Sequence, residues 1–431
     1  MVMNFIEELR VRGLFQSVSD EAGLAEALGA GPITGYIGFD PTAASLHVGS
    51  LFQILLLLRL QRAGHRPIAL VGGGTGLIGD PSGKSDERSM LSPERLAENL
   101  SGIRGQLSKY LDFNDSPTGA VLIDNAEWLG SIGLLEFLRD IGKHFSVNAM
   151  VQRDSVRNRL EQREHGISYT EFSYMLLQSY DFLALRDRFG CRLQLGGSDQ
   201  WGNIVSGVDL VRRLRNEEVF GLTTPLLTRS DGKKFGKSEA GNVWLDPALT
   251  SPYEFYQFWL NTSDDDVERY LLALTLEPVE VIAEAVTAHK LDPSKRGAQR
   301  MLAASVTRFV HGDEALASAQ RTTELLFQGG DLRTLAADEL AAAFKSAPNH
   351  SIARSALGTP EAGFVKVLAD AGLFKSRGEA RSFVAQGGAS VNGVAVSDVQ
   401  RVLTADDLLH GGFIALRKGR KSWHVVRVTD G

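Results

Sequence analysis

The sequence predicts an α/β fold built on a parallel sheet that is wrapped by helices. Three apolar segments, at residues 66–71, 120–124 and 191–195, have the length and composition of buried strands. Each is followed by a glycine-rich or polar turn and then by residues with helical periodicity. This alternation is typical of doubly wound sheets, which bind their ligands at the carboxyl ends of the strands.

Residues 36–42 are a β-type stretch that Pro41 breaks. A helical run follows over residues 51–62, so His47 is expected at the amino terminus of a helix. Free backbone N–H groups and the positive end of the helix dipole attract anions there. Gly49 lacks a side chain and would let a ligand approach the backbone closely. This turn is therefore a candidate phosphate site.

Residues 74–79 follow the predicted strand at 66–71 and match the pattern GxGxxG, which suggests a nicotinamide-dependent dehydrogenase as an alternative. The context argues against it, because Asp80 and Pro81 interrupt the helix expected there. In addition, no acidic residue closes a βαβ unit at the roughly 20-residue distance that a ribose contact needs. The spacing of the next glycines is one residue short of a P-loop. A loop that approaches a ligand is expected, with an ordinary tight turn as the alternative.

A helix is predicted around residues 169–182, and it carries a polar stripe. Tyr174, Gln178 and Asp181 lie at positions i, i+4 and i+7, which places them on one helix face. Apolar residues flank the stripe, so its polar groups are expected to face a cavity. A solvated helix face is the ordinary alternative for such a pattern.

The strand predicted at 191–195 ends in a glycine-rich turn at 196–198, and another helix is predicted after it. Asp199 lies between the turn and that helix. It is either a ligand-binding group or the N-cap of the helix. Trp201 and Trp128 are expected to serve packing.

Two lysines, Lys234 and Lys237, lie three residues apart in a glycine-containing loop. A flexible pair of cations is suited to phosphate charge that moves during a reaction. A solvated loop is the alternative for the lysines, just as an ordinary helix-start histidine is for His47. The function therefore depends on these features occurring together.

After residue 251 the strand signals disappear, and residues 251–328 are predicted to be all helical. Residues 328–360 are rich in alanine and suggest a connector. The last block, residues 364–428, has two helical runs before a strong hairpin signal at Asn392-Gly393.

The composition is that of an ordinary soluble globular protein, with 43% hydrophobic and 23% charged residues. A chain of 431 residues is too long for one core and suggests two to four domains. Residues 1–10 do not resemble a signal peptide, and the apolar run at 51–60 is too short and too polar to span a bilayer. The single cysteine, Cys191, excludes an internal disulfide and a cysteine-cluster metal site. A cytoplasmic enzyme is expected.

The charge is distributed unevenly along the chain. From Pro360 onward, ten Lys and Arg against seven Asp and Glu give a net charge of +3, which leaves −9 for the rest of a chain whose total is −6. This asymmetry favours a basic carboxyl-terminal module attached to an acidic body.

Together these segments resemble the signature regions of bacterial-type tyrosyl-tRNA synthetases, a family of class I aminoacyl-tRNA synthetases. The blocks that carry the resemblance occur in the family's order and are residues 36–50, 72–84, 169–182, 194–203 and 234–238. The last part of the chain resembles an S4-type RNA-binding domain.

The resemblance implies a Rossmann-like catalytic domain over residues 1–225 and a segment with the catalytic lysine loop and a helical domain over 226–328. A linker at 329–360 and a small α+β S4-type domain at 361–431 complete it. The implied reaction is activation of tyrosine by ATP, followed by transfer to tRNA. ATP is thus a substrate, Mg²⁺ is expected to be carried on its phosphates, and no protein metal site is expected. A homodimer is also implied.

The resemblance further implies a role for individual residues. The groups expected to act on the phosphates are Thr42, His47, Lys84, Arg88, Lys234 and Lys237. Those expected to bind tyrosine are Tyr36, Asp80, Tyr174, Gln178, Asp181 and Gln200. Those expected to bind ATP are Gly38, Asp40, His47, Gly49, Gly197, Asp199 and Lys237. Those expected to bind RNA are Lys375, Arg377, Arg381, Arg417, Lys418, Arg420 and Lys421, for which a solvated basic face is the alternative.

The chain departs from the family pattern at two positions. Ser50 replaces the second histidine of the first motif, and Ile37 stands where some relatives offer a group that can hydrogen-bond to the nucleotide ribose. Gln53 is a candidate to support nucleotide binding instead. Two alternatives stay open, a tryptophan-activating relative and a synthetase-like RNA-binding protein without catalysis. A hydroxyl partner such as Tyr36 suits a phenol better than an indole.

Overall fold

The computed structural model describes residues 4–430 except 81–90, 154–155, 158–159, 161–166, 233–234, 239–240, 346, 411 and 420–421, and at 237–238 it describes the backbone. The described chain forms two compact units. The first consists of Met1–Asp246 and Ser263–Ala298, and the second of Pro247–Thr262 and Gln299–Gly431. No helix in the described part of the chain is long and apolar enough to cross a membrane.

The strands are β1 (Ser17–Val18), β2 (Thr34–Phe39), β3 (Arg66–Val71), β4 (Val121–Asp124), β5 (Cys191–Gly197), β6 (Phe220–Thr224), β7 (Lys237–Ser238), β8 (Gly241–Asn242), β9 (Asn349–Ala353), β10 (Ala389–Val391), β11 (Val394–Val396), β12 (Phe413–Lys418) and β13 (Ser422–Thr429).

The helices of four or more residues are α1 (Phe5–Val11), α2 (Glu21–Ala30), α3 (Val48–Arg62), α4 (Pro93–Leu107), α5 (Ala126–Leu129), α6 (Leu134–Asp140), α7 (Val147–Val151), α8 (Tyr169–Phe189), α9 (Trp201–Arg215), α10 (Pro252–Leu260), α11 (Asp264–Leu274), α12 (Val279–Leu291), α13 (Gly297–Gln328), α14 (Ala337–Ala343), α15 (Phe364–Asp370) and α16 (Arg377–Ala385). The path of α13 is broken at Gly312, whose φ of 87° is not helical.

The first unit contains the predicted parallel sheet. Its strand order is β1-β6-β5-β2-β3-β4, and all neighbours are parallel except the short edge strand β1. The strands predicted at 66–71, 120–124 and 191–195 are confirmed as β3, β4 and β5. The order reverses between β2 and β5, so the polar residues that follow these strands meet at one edge of the sheet.

Local sequence explains where the principal helices of this unit begin and end. Ser92 caps α4 by accepting a hydrogen bond from the backbone N–H of Arg95, and Pro93 occupies the first helical position. Ser168 caps α8 in the same way, and Gly190 ends that helix in the left-handed conformation with a φ of 65°. The core beneath the sheet includes Trp128 and Phe182.

Helix α3 is tied to α11 by a buried arginine. The guanidinium of Arg59 is fully buried and donates to the carbonyl oxygens of Ala273 at 2.9 Å and of Thr275 at 2.8 Å, at the end of α11. Glu8 lies 3.5 Å from the same guanidinium. Burial lowers the pKa of Arg59 to about 9, with the neighbouring charge of Arg12 acting in the same direction. Arg59, a residue of α3, therefore caps the carboxyl end of α11 by bonding its last carbonyl oxygens.

The second unit combines helices with a five-stranded sheet in the order β11-β10-β12-β13-β9. The predicted hairpin is confirmed, because Asn392 and Gly393 join β10 to β11 with φ values of 49° and 84°. The predicted all-helical segment and the two helical runs before the hairpin are also found. A Rossmann-like sheet followed by helices and a small α+β sheet module is thus the observed fold.

Residues 329–360, expected as a linker, contain elements of this second sheet module. Strand β9 pairs in parallel with β13 at the sheet edge. Leu340 and Phe344 pack in an apolar cluster with Leu332 and, from β13, Val425. The alanine-rich composition concealed these contacts, because a short edge strand has a weak periodic signal. The predicted boundaries at 225, 328 and 360 remain predictions.

Candidate active site

A cavity of about 760 Å³ opens at the carboxyl ends of β2 and β5 in the first unit. Most of the residues predicted to bind tyrosine or ATP or to act on the phosphates line it together, namely Tyr36, Gly38, Asp40, Thr42, His47, Gly49, Asp80, Tyr174, Gln178, Asp181, Gly197, Asp199 and Gln200. Ile37, Ser50 and Gln53 line it as well. Lys84, Arg88, Lys234 and the side chain of Lys237 lie outside the described residues.

Asp181 lies at the buried end of the cavity and is 2% exposed. Its Oδ1 accepts a hydrogen bond from Trp128 Nε1 at 2.7 Å, and its Oδ2 accepts one from Asn125 Nδ2 at 3.0 Å. Burial raises the pKa of Asp181 to about 7, against the two hydrogen bonds, which lower it. The carboxylate is therefore held in place with lone pairs left for a donor from the cavity.

Tyr36 faces the same end of the cavity from β2. It is 1% exposed, and its hydroxyl has no hydrogen-bond partner among the described residues. Burial, together with the charge of Asp181, raises its pKa well above the ordinary value, so the hydroxyl stays protonated. A buried hydroxyl without a partner costs roughly 1–3 kcal/mol. A ligand that offers a polar atom here would recover that cost.

A chain of side-chain amides crosses the cavity wall. Asp80 Oδ2 accepts from Gln200 Nε2 at 2.8 Å, and Gln200 Oε1 accepts from Gln178 Nε2 at 3.3 Å. Asn203 Nδ2 donates to Gln178 Oε1 at 3.0 Å. The chain links α8, α9 and the loop after β3, and it places a carboxylate where an ammonium group could bind.

His47 is the N-cap of α3, as the sequence predicted. Its Nδ1 accepts a hydrogen bond from the backbone N–H of Gly49 at 3.0 Å. Because Nδ1 accepts this hydrogen bond, the ring proton is placed on Nε2, from which it can be donated to an anion. A Cβ at Gly49 would lie 2.7 Å from His47 Cε1, so this capping geometry requires glycine.

The turn at His47 and the segment that carries the lysine loop are in direct contact. His47 forms an antiparallel bridge with Trp244, and the backbone N–H of Leu245 donates to the carbonyl oxygen of Leu46 at 2.9 Å. In the lysine loop, a Cβ at Gly236 would lie 3.0 Å from Val48 Cγ2. Segments almost two hundred residues apart in sequence thus share one wall of the site.

The glycine-rich loop after β3 does not present its first amides to a ligand. The backbone N–H of Gly73 donates to Asp124 Oδ1 at 3.0 Å, and that of Gly74 donates to Asn125 Oδ1 at 2.8 Å. The loop is a tight turn that supports the cavity wall, with Thr75 facing inward. This geometry differs from that of a dinucleotide loop, whose amides bind the pyrophosphate.

Sequence reasoning missed Asn125 and Asn203 and assigned Trp128 to packing alone. Each is a single polar group on an otherwise ordinary element, so no periodic signal could reveal it. Asp199 is not the N-cap of α9, because that helix begins at Trp201 and its N-cap is Gln200.

The predicted RNA-binding residues fall into two groups in the second unit. Lys375, Arg377 and Arg381 are exposed on or just before α16. Arg417 and Lys418 are half-buried and engaged. Arg417 Nη1 donates to the carbonyl oxygen of Leu326 at 3.1 Å and stacks on Trp423. Lys418 Nζ donates to the carbonyl oxygen of Leu373 at 2.7 Å and lies over the Phe374 ring. Arg420 and Lys421 lie outside the described residues.

The chain is similar to known proteins over most of its length. The family model described as tRNA synthetases class I (W and Y) matches residues 29–328, and the one described as Tyrosine--tRNA ligase SYY-like C-terminal domain matches residues 339–426. A tyrosine--tRNA ligase from Rhodopirellula baltica is 49% identical over 427 residues, covering 99% of this chain and 97% of that protein. One from Laribacter hongkongensis is 50% identical over 424 residues, covering 98% of each.

Solved structures give the same result. A C-terminally truncated mitochondrial tyrosyl-tRNA synthetase from Aspergillus nidulans is similar with a TM-score of 0.66 and 32% identity, covering 75% of this chain and 94% of that one. A tryptophanyl-tRNA synthetase from Encephalitozoon cuniculi gives a TM-score of 0.52 at 16% identity, covering 73% and 87%. At that identity the likeness shows the fold alone.

Proposed function

The chain belongs to the family of class I tRNA synthetases specific for tryptophan and tyrosine, and from this premise we propose that it activates tyrosine with ATP and transfers it to tRNA. Among the relatives that support tyrosine as the substrate are curated tyrosine--tRNA ligases aligned over nearly the whole chain. The observation in the site that carries the proposal is the buried pair formed by Tyr36 and Asp181.

This pair suits a phenol. The substrate hydroxyl donates to the Asp181 carboxylate and accepts from the Tyr36 hydroxyl, which otherwise has no partner in the described part of the chain. Phenylalanine would leave both groups unsatisfied. A site built to bond a hydroxyl rejects the analogue without it by roughly 10⁴- to 10⁵-fold, a range for which tyrosyl-tRNA synthetases are themselves the reference case. An indole N–H could donate to Asp181 but could not accept from Tyr36.

The other end of the amino acid meets the amide chain. The α-ammonium group is held by Asp80, Tyr174 and Gln178, and Gln200 faces the carboxylate side. Since Gln200 already donates to Asp80 at 2.8 Å, the two groups are positioned by one another. This orientation directs the substrate carboxylate towards the wall that carries His47.

ATP binds along that wall, with Gly38, Asp40, Gly197 and Asp199 around the adenosine portion. The substrate carboxylate attacks the α-phosphorus, the bond to the bridging oxygen breaks, and pyrophosphate leaves. His47 Nε2 and the Thr42 hydroxyl stabilise the charge that develops on the phosphates. Further positive charges are proposed to stabilise the same phosphates, from side chains outside the described residues, namely those of Lys84, Arg88, Lys234 and Lys237. Mg²⁺ accompanies the ATP phosphates as part of that substrate.

The second unit binds the tRNA in this proposal. Lys375, Arg377 and Arg381 are exposed and suited to phosphate contacts, which add affinity that weakens with salt. Arg417 and Lys418 contribute less directly, because backbone carbonyls and aromatic rings already engage them. The S4-type boundaries and a cytoplasmic location stay predictions of the sequence.

We also propose that the protein is a homodimer. Helix α6 exposes Leu134, Leu135 and Leu138, and nearby in sequence α7 exposes Val147. Leu135 is 81% exposed, and the grouping of such side chains is more informative than any single exposed leucine. Apolar side chains presented together on short helices are typical of an interface between protein chains. A self-complementary contact of this kind would give a twofold dimer.

The function is tested by charging bulk tRNA with each of the twenty labelled amino acids in parallel. Tyrosine is expected to be the only one incorporated well. Incorporation of tryptophan at a comparable rate would contradict the substrate proposed here. Incorporation of none, with tRNA still bound, would favour an RNA-binding protein without catalysis.

A further inference from the structure

Helix α4 approaches the site from outside. None of its residues lines the cavity, and all of them are described. Asn99, Gly102 and Gln106 lie at positions i, i+3 and i+7, so they share one face of the helix. That face contacts the loop of residues 41–46, which leads into His47. These three residues are defined here as the α4 clamp.

The two ends of the loop are held by buried amides of the α4 clamp. Asn99 is 1% exposed, and its Nδ2 donates to the carbonyl oxygen of Pro41 at 2.8 Å. Gln106 accepts from the backbone N–H of Leu46 at 2.7 Å and donates to Ser45 Oγ at 2.9 Å. Buried bonds of this kind fix a backbone more firmly than exposed ones, because no water can replace the lost partner.

Gly102 holds the middle of the loop by direct approach of the backbones. A Cβ at this position would lie 1.9 Å from the carbonyl oxygen of Ala44, a distance that forces the loop or the helix to move. Gly105 lies one turn later on the same helix, and a Cβ there would meet no atom within 4 Å. Alanine is the better helix former at both positions. The two glycines therefore differ in their contact with the loop.

The contact between α4 and the loop bears on the reaction because the loop positions two proposed phosphate-binding residues. Thr42 lies within it and His47 follows directly after it, and both line the cavity. The groups at the tyrosine end come from other parts of the chain, namely β2, the loop after β3, α8 and the turn before α9. A shift of the loop would thus displace the phosphate-binding groups and leave the tyrosine end intact. Misplacement by about 1 Å is enough to slow a reaction by roughly a hundredfold.

We propose that Asn99, Gly102 and Gln106 are positioning residues for the activation step. They set the backbone of residues 41–46, and thereby the placement of Thr42 and His47, without touching a substrate. This inference rests on the proposed function, since activation of tyrosine by ATP is the step whose rate it concerns.

The test compares Gly102→Ala with Gly105→Ala as a matched pair. The measurements are the rate constant of tyrosine-dependent ATP–pyrophosphate exchange, the Kd of tyrosine by equilibrium dialysis, and the midpoint of thermal unfolding. We expect Gly102→Ala to slow exchange by roughly tenfold to a hundredfold with a tyrosine Kd within about twofold of wild type. Gly105→Ala should exchange at the wild-type rate.

Asn99→Leu provides a second variant in case Gly102→Ala does not fold. It keeps a similar side-chain size and removes the bond to the Pro41 carbonyl oxygen. The same selective loss of exchange rate is expected, with tyrosine binding retained.

Two results would overturn the inference. One is an equal exchange rate in the two glycine variants. The other is a parallel loss of exchange and of tyrosine affinity in Gly102→Ala or Asn99→Leu, which would indicate general damage to the fold. If wild type itself catalyses no exchange, the proposed function fails first, so the two failures are distinguishable.

Discussion

The hydrogen bond from Trp128 to Asp181 is expected to tune the carboxylate that selects the substrate. Trp128 is 1% exposed, and its Nε1 lies 2.7 Å from Asp181 Oδ1. Trp128→Phe removes this donor and keeps an aromatic ring in the core. A hydrogen bond to a charged group contributes about 1.5–3 kcal/mol, so kcat/KM for tyrosine should fall by roughly 10- to 150-fold at neutral pH.

The same change should move the pH dependence. In wild type the pKa of Asp181 is raised by burial to about 7, so kcat/KM for tyrosine should decrease as the pH falls through 7. Loss of the donor disfavours the charged form and should raise this pKa further. The decrease in the variant should then begin at a correspondingly higher pH.

The assay is tyrosine-dependent ATP–pyrophosphate exchange between pH 6 and 9, because the pH dependence of kcat/KM reports the pKa of the free enzyme. Trp259→Phe is the control, since Trp259 is a fully buried tryptophan of the other unit. An unchanged pH profile in Trp128→Phe would refute the reasoning, whatever the loss of rate.

Three further predictions follow from the same geometry. Because the folded state raises the pKa of Asp181 from 3.8 to about 7, the carboxylate opposes folding increasingly as the pH rises from about 4 to 7, and fully above pH 7. Asp181→Asn should therefore stabilise the protein at pH 8 by at most about 4 kcal/mol but not at pH 4. Denaturant unfolding at both pH values checks this, and equal effects would contradict it. Deleting residues 329–431 should spare pyrophosphate exchange and reduce tRNA charging at least tenfold. Deleting from residue 360 should instead give an aggregation-prone protein, because β9 loses its partner β13. Loss of exchange in the longer deletion would contradict the assignment of tRNA binding to a separate carboxyl-terminal module. Leu135→Glu should shift the protein from dimer to monomer in sedimentation analysis, and an unchanged mass would remove α6 from the interface.

The sheet and the motif positions could be predicted because their signals are local. Buried strands such as β3 are continuous apolar runs, and the hairpin at Asn392 is specified by two residues. The polar stripe on α8 was predictable for the same reason, since helical spacing alone places Tyr174 and Asp181 on one face.

The rest depends on contacts between distant segments. Asn125 reaches Asp181 only because β4 and α8 flank the same cavity, and Gln106 reaches Leu46 only because α4 packs against the loop. Such partners are single residues without a periodic pattern. The predicted RNA-binding residues show the same difficulty. Nothing in the sequence distinguishes Lys418, whose ammonium group donates to a backbone carbonyl, from Lys375, which is exposed.

The central claim is that a buried carboxylate and hydroxyl select tyrosine for activation by ATP. Amino-acid-dependent ATP–pyrophosphate exchange, run with tyrosine, phenylalanine and tryptophan on wild type and Asp181→Ala, tests it most directly. We expect exchange with tyrosine alone in wild type and its loss in the variant. Exchange with phenylalanine as fast as with tyrosine, or full tyrosine exchange in Asp181→Ala, would contradict the claim.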